Sequence, residues 1–565
     1  MKEGLGMANI SKNVSRRGFV AAAGATVAGL GLAGCAGNSD STTDTTTGSA
    51  DSTELITTDK DGFVVRAEQT DGKAPANECI IALEGAIQDT NPMTCSDGNS
   101  VNVMYYIYDT LVCWDSNFEL QPAAADSWEI SEDACTYTFH IRDGITFEDG
   151  TPFDAACVVT NYQAAIDPAN NWRRRRMFIR TLDDDTEEVR VDNVYAVDEM
   201  TVAFHLVKPY SPFMNSVSQF SIVNPTVVVQ GNNYDYSKGS AGSGPYRLVE
   251  YAQGDHTSLE LREGYWGEEP AIEKITFREV PEAGSRIAML QTGEATVVYP
   301  TPSDQVETIR SAGDINMCST PSNIMRYVTL NNDVEALSDV RVRQAMNYAI
   351  DKDAYIRVMF SGAATEATSV LPTIVPGYAK QEPYKFDLEK AKSLMEEAGY
   401  ADGFDINLIG DNSTQETKGM TFVMQQLAQI NINVNVQPNE PATNAEITAE
   451  PEDTTTVQMW YVNWSQSDAD GFLRSLLYST SLPPIGYNTA FWKNADFDEQ
   501  VDAGNAAATV DEQNEHYAEA QSIAWEACPW LFLASDNYLY SYKSYLSDVK
   551  MIPNGIDVMH STLNV

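Results

Sequence analysis

Positive charge is scarce in this chain: 36 Lys and Arg residues stand against 81 Asp and Glu, a formal net charge of −45. An acidic surface repels nucleic-acid phosphates and anionic lipid headgroups, which excludes nucleic acid as a partner. Histidine is scarcer still, and the five (His140, His205, His256, His516 and His560) include no pair at metal-ligand spacing. His140 lies in an alternating strand pattern and reads as structural. Neither H-E-x-x-H, nor G-x-S-x-G, nor a phosphate-binding loop occurs, so the usual hydrolase and ATPase signatures are missing. Gly29-Leu30-Gly31-Leu32-Ala33-Gly34 matches G-x-G-x-x-G, but no strand precedes it and a nucleotide fingerprint is rejected. The eight cysteines contain no C-x-x-C, which argues against zinc or thioredoxin-like chemistry. Seven follow Cys35 (Cys79, Cys95, Cys113, Cys135, Cys157, Cys318 and Cys528) and cannot all pair. Several, such as Cys113 in Leu111-Val112-Cys113-Trp114, suit buried free thiols, and the pairing stays open. No enzyme activity, metal or cofactor is expected.

Long apolar runs are also lacking. The one near the start, Phe19 to Ala33, has 15 residues diluted by Gly24, Gly29 and Gly31, short of the about 20 that span a bilayer. Preceded by Lys12, Arg16 and Arg17, it reads as a cleaved export signal. Ser15-Arg16-Arg17-Gly18-Phe19-Val20 resembles a twin-arginine signal, and Leu32-Ala33-Gly34-Cys35 resembles a bacterial lipobox. Residues 1–34 are therefore assigned to export, and Cys35 to lipidation and membrane anchoring. Without them 32 basic and 80 acidic residues remain, a formal charge of −48. The Ser-, Thr-, Asp- and Gly-rich stretch that follows is too polar to pack, so 35–61 is read as a flexible tether with the fold starting near Gly62.

What the chain does contain is an ordinary folding composition, 43% hydrophobic and 10% aromatic over 565 residues, enough for three to four domains. Thr136 to Arg142 alternates as a half-buried strand, and Thr151-Pro152-Phe153-Asp154 opens a helix whose apolar face is Ala155, Ala156, Val158, Val159 and Tyr162. Strands are expected at Val297-Val298, Arg326–Leu330, Phe404–Ile409 and through Ile432, Val434 and Val436. Helices are expected over Val340–Phe360, Leu388–Ala398 and Met420–Ile430. Such alternation predicts α/β architecture with helix-covered sheets. The basic run Arg173–Arg176, followed by Asp183-Asp184-Asp185, reads as a solvated loop, with docking to an acidic surface as the other reading.

A series of motifs in fixed order carries further information: Leu120-Gln121-Pro122-Ala123-Ala124-Ala125-Asp126-Ser127-Trp128-Glu129, Phe147-Glu148-Asp149-Gly150, Gly242-Ser243-Gly244-Pro245-Tyr246, Tyr265-Trp266-Gly267, Leu290 to Glu294, and Ser338 to Asp351. The series, with Lys390 to Tyr400, resembles the bacterial extracellular solute-binding protein family 5, the oligopeptide-, dipeptide- and nickel-binding components of ABC importers. The resemblance implies a two-lobed α/β periplasmic-binding-protein-like fold of type II, with an extra domain and a discontinuous first lobe. Lobe I is placed at 62–105, 223–318 and 535–565, the extra domain at 106–222 and lobe II at 319–534. It also implies a monomer that closes on a small-molecule or peptide solute and hands it to an ABC permease with its ATPase. The competing readings are a ligand-sensing lipoprotein signalling through a membrane receptor and a secreted enzyme.

The densest aromatic-polar group, Trp460-Tyr461-Val462-Asn463-Trp464 followed by Asp468, is the site candidate, against the alternative of a buried strand ending in an acidic loop. In peptide-binding relatives the resemblance places an ammonium-pairing aspartate where this chain has Asn463, and a neutral amide lacks that charge-assisted contact. By approximate placement Ser96 and Asp97 near a first crossover, Asn323 and Tyr327 near a second, and Asp536 near the return join the cleft.

Overall fold

A computed structural model describes residues 56–69, 77–95, 97–181, 186–239, 241–507 and 509–564. Arg16, Arg17, Cys35 and Ser96 lie outside the described residues. The elements that position the site are strands β1 (Glu78–Leu83), β2 (Lys274–Glu279), β3 (Val297–Tyr299), β4 (Ile315–Leu330), β5 (Phe404–Asp411), β6 (Ile432–Asn439), β7 (Met459–Ser465) and β8 (Trp530–Lys543). Three helices matter as much: α1 (Gly98–Ile107), α2 (Thr414–Leu427) and α3 (Ala469–Leu477).

These strands belong to a twelve-stranded sheet in which β2, β1, β3, β8, β4, β7, β5 and β6 are successive neighbours. Beyond β2 lie the antiparallel strands His256–Leu261 and Tyr246–Ala252, while Phe63–Val65 pairs with β4 and Ala364–Glu366 with β8. β1, β2 and β3 run parallel to one another, as do β5, β6 and β7. β4 has 16 residues and β8 has 14, against about 5–6 for an ordinary strand, so the antiparallel pair passes from one parallel set to the other. Its register shifts between Pro321 and Met325, where proline cannot supply a ladder donor.

The long central strands β4 and β8 are covered on both faces and buried almost throughout, whereas β6 at the edge alternates between buried and exposed residues. With the period of two, Ile81, Leu83, Val297, Cys318 and Tyr540 enter one core with α1, while Ala82, Val298, Met317 and Leu539 enter the opposite one. In the other half Val328, Tyr461 and Leu531 pack under α2, whereas Tyr327, Trp530 and Phe532 pack with Phe472 and Leu476 of α3. A four-stranded antiparallel sheet of Ala125–Ile130, Thr136–Ile141, Thr201–Leu206 and Val191–Ala196 stands apart, backed by the helix Ala155–Ile166. Asp154 caps that helix by accepting the Cys157 N–H.

Three expectations change. The helix expected over Val340–Phe360 is two, Val340–Tyr348 and Lys352–Phe360, because Asp351 accepts the Ala354 N–H and starts a second N-terminus. The helix expected from Met420 begins at Thr414, where Ser413 accepts the Glu416 N–H, and its last turn is a separate 3-10 turn. Arg173–Arg176 is not a solvated loop but most of a 3-10 helix, Arg173–Met177, with Arg174 buried. The seven cysteines after Cys35 are all unpaired.

Candidate ligand-binding cleft

The carboxyl ends of parallel strands are where open α/β sheets bind ligands, because the strand connections diverge there and leave a crevice. Two such edges meet in this chain. β3 ends beside β8, Val298 pairing with Ser541 and the Thr301 N–H reaching the Leu539 carbonyl. β7 ends beside β4, Ser465 pairing with Ile324. Both edges therefore face the segments Ser322–Asn323 and Asp536–Tyr538, where the long strands cross.

The crossing is held by side chains. Tyr538 Oη donates to Asn323 Oδ1 at 2.8 Å, and Asn323 Nδ2 donates to the Gln466 carbonyl at 3.0 Å, just past the end of β7. The Tyr299 ring at the end of β3 meets Tyr538 edge to face, centroids 6.1 Å apart. Ser322 Oγ donates to the Asp536 carbonyl at 2.7 Å. On the other face Arg326, whose side chain is 4% exposed, donates from Nη2 to Asp536 Oδ2 at 2.9 Å and from Nη1 to Glu416 Oε1 at 2.7 Å. Burial alone would lower the Arg326 pKa, but the charge of Asp536 holds it well above the usual guanidinium range. One cation against two carboxylates leaves the floor with a surplus negative charge.

Asn463 is paired across the ladder with Arg326, so its amide lies next to that charge cluster. It is exposed and makes no side-chain hydrogen bond among the described residues. Trp464 points to the opposite face and packs on Tyr487, ring centroids 4.6 Å apart. Asn463, Asn323 and Asp536 are thus gathered around the crossing, with Trp464 at its side. Asp97 belongs to the other half, where it caps α1 by accepting the Ser100 N–H at 2.9 Å. The neighbouring Asn99 closes on Gly85, where an added Cβ would stand 2.6 Å from Asn99 Nδ2, so α1 begins against the end of β1.

The remaining candidates have structural partners. Tyr327 stacks on Trp530 at 3.9 Å, and Tyr461 is buried with its hydroxyl bonded to that of Tyr355. Trp460 is half-buried in the ladder between Thr329 and Ile409. Asp468 caps α3 through the Gly471 N–H and receives Asn215 Nδ2 at 2.9 Å. Burial, then the charge of Asp470, pushes its pKa up to about 6. Arg326, Glu416, Tyr538 and Tyr487 escaped the sequence reading. A signal for the first was present, since an arginine inside Ile324-Met325-Arg326-Tyr327-Val328 must find counter-charges if that strand is buried.

Comparison with known proteins supplies the context for this geometry. Residues 119–483 match the model of "Bacterial extracellular solute-binding proteins, family 5 Middle". The chain is 34% identical over 489 residues to the glutathione-binding protein GsiB of Pectobacterium atrosepticum, covering 85% of this chain and 92% of that one. It is 31% identical over 488 residues to the GsiB protein of Escherichia coli K12, covering 85% and 93%. Among solved structures, the ABC transporter substrate-binding protein CtaP of Listeria monocytogenes matches with a TM-score of 0.77 and 27% identity, over 88% of this chain and 100% of that one. The periplasmic binding protein DppA of Helicobacter pylori, in complex with the peptide STSA, matches with a TM-score of 0.67 and 25% identity, over 86% and 98%. A fold with two converging strand edges, matched over most of its length in sequence and in structure, makes this chain a member of the bacterial extracellular solute-binding protein family 5.

Proposed function

We propose that the protein captures a small polar solute of peptide-like character between two lobes joined by β4 and β8, and delivers it to an ABC permease. The observation that carries the reading is the convergence of both sets of strand ends on the Ser322–Asn323 and Asp536–Tyr538 crossing. The lobes correspond to 62–105 with 223–318 and 535–565, and to 319–534, with 106–222 as the extra domain. Cys35 holds the mature chain to the membrane. A solute that touches both strand edges favours the closed arrangement by the contacts it makes only there, so binding needs no catalysis. Glutathione and short peptides, the ligands of the relatives, set the class to try first.

The test is native mass spectrometry of freshly purified protein, followed by titration with glutathione and di- and tripeptides, with small-angle scattering of the free and loaded forms. One ligand per chain and a smaller radius of gyration when loaded are expected. Binding of none of these compounds, or scattering profiles that coincide although ligand is bound, would overturn the reading.

A further inference from the structure

Beyond the strand crossing, the extra domain and lobe II touch a second time. The segment 210–219, which contains the short helix Phe213–Ser218, follows the last strand of the extra domain's sheet and reaches three helices of lobe II: α3, Ala495–Ala506 and Val510–Ala527. Ser211 donates its N–H to the Asn505 carbonyl at 3.3 Å, and its hydroxyl shares a hydrogen bond with Tyr517 Oη at 3.0 Å. Asn215 Nδ2 donates to Asp468 Oδ2 at 2.9 Å. That amide is held in one orientation, because its Oδ1 accepts Trp114 Nε1 at 3.3 Å and Gln219 Nε2 at 3.0 Å.

Asp468, a solute candidate on sequence grounds, is therefore met by the extra domain. Its neighbours that carry or can carry charge come from every element at the contact: Asp470 and Arg474 of its own helix, Asp502 of Ala495–Ala506, Tyr517 of Val510–Ala527, and Arg190 of the extra domain. Arg474 is committed to Asp470 at 3.0 Å and to Asp502 at 2.8 Å, and Arg190 donates from Nη1 to Tyr210 Oη at 2.8 Å. Asp468 thus has the N–H groups of Gly471 and Asn215 but no salt bridge among the described residues. Burial, then the charge of Asp470, pushes its pKa up to about 6, against the pull of Gly471, Asn215 and Arg190. When 210–219 withdraws, water returns to the carboxylate and its pKa falls towards the ordinary aspartate value of about 3.9. The closed arrangement therefore binds the proton more tightly than the open one. It is favoured as pH falls through 6 and disfavoured by ionisation above that.

We propose that the contact between 210–219 and lobe II is a proton-linked latch: uptake of one proton at Asp468 favours closure, so the protein holds its solute more tightly in mildly acidic surroundings and releases it more readily at neutral pH. This inference rests on the lobes and cleft proposed above. The solute itself need not titrate, since the proton is bound where the two domains meet. With values near 6 closed and 3.9 open, the closed-to-open ratio rises about five- to tenfold between pH 7 and pH 5.

The experiment combines small-angle scattering of the full mature chain, dialysed free of ligand, across the range from acidic to neutral pH with calorimetric titration of glutathione and Ala-Ala-Gln at both ends of that range. The unmodified protein should contract on acidification and bind its probe about five- to tenfold tighter, taking up roughly half to one proton per ligand near the midpoint, read from the dependence of the heat on buffer. Acidification also discharges the rest of the acidic surface, so Asp468→Asn, which keeps a capping side chain and every other carboxylate, is the reference and should lose both effects. Asn215→Asp sets a second carboxylate against Asp468 and should move the midpoint up by about one pH unit, which a merely structural contact would not do. Contraction and proton uptake that persist in Asp468→Asn, or a midpoint unmoved in Asn215→Asp, overturn the latch. Probe binding of equal affinity at both pH values overturns the latch and leaves the solute reading standing. Contraction that depends on Asp468, with neither probe bound, supports the latch and sinks the peptide-like reading. Neither contraction nor binding overturns both.

Discussion

Single residues set the charge pattern of the proposed cleft, and two of them lend themselves to direct tests. Asn463 sits beside Arg326, Asp536 and Glu416, whose surplus negative charge already favours an ammonium group. Asn463→Asp adds a carboxylate at the exposed end of this cluster. Peptides with free amino termini should gain at least about tenfold in affinity by calorimetry, as a hydrogen bond to a charged group contributes ~1.5–3 kcal/mol, and N-acetylated peptides should gain nothing. An equal gain for both forms would remove Asn463 from the ammonium end. Asp468 offers a pH signature. Its folded pKa, up to about 6, lies above that of an unfolded aspartate, so the folded state binds the proton more tightly. The ionised group therefore costs stability above pH 6, and the cost fades as pH falls towards 4. Asp468→Asn keeps a capping side chain and should raise the unfolding free energy on the order of 1–3 kcal/mol at pH 7.5, with little gain at pH 4. A gain independent of pH would contradict this account. At this scale much of the site was beyond the sequence: Trp464 and Asn463 stood out by their type, whereas Glu416 and Tyr538 acquire meaning only when strands distant in sequence become neighbours.

Elements show where local pattern suffices and where it fails. The alternation at Thr136–Ile141 and the capping Asp154 were legible because pleat and cap are local events. The 16-residue length of β4 was not, since Pro321 and Asn323 break the apolar pattern midway and only pairing with β8 carries the strand through. Gly242-Ser243-Gly244 stood out in the sequence only as part of the ordered motif series, and its glycines serve a close approach. The Gly244 N–H bonds the Ile107 carbonyl at 2.9 Å, and a Cβ on Gly242 would stand 1.9 Å from that same oxygen. Gly242→Ala should therefore destabilise the fold by about 1–3 kcal/mol or more, measured by urea unfolding, because backbone rather than a yielding side chain blocks the methyl group. A parent-like midpoint would show that α1 can retreat at little cost.

The whole molecule was legible as α/β from its helix–strand alternation and as two-lobed from its ordered motifs, but the sequence concealed that one sheet runs through both halves. The proposed lipid anchor is tested at this scale as well: Cys35→Ala should move the protein from the membrane to the soluble fraction, seen by fractionation and blotting. Retention that still needs detergent would point to another anchor. The path of the chain has a consequence for how the protein is made. β8 lies between β3 and β4, and its Tyr540 and Tyr542 fill the core that contains Ile81 and Val297. The first half of the sheet, whose strands are translated early, thus waits for residues 530–543 before it can be closed. Synthesis from the ribosome leaves most of the chain complete while that gap stays open, and pairings so distant in sequence form slowly. Between the emergence of β3 and that of β8, the edge of β3 that β8 will cover has no strand partner, an interval set by the order of the genetic message.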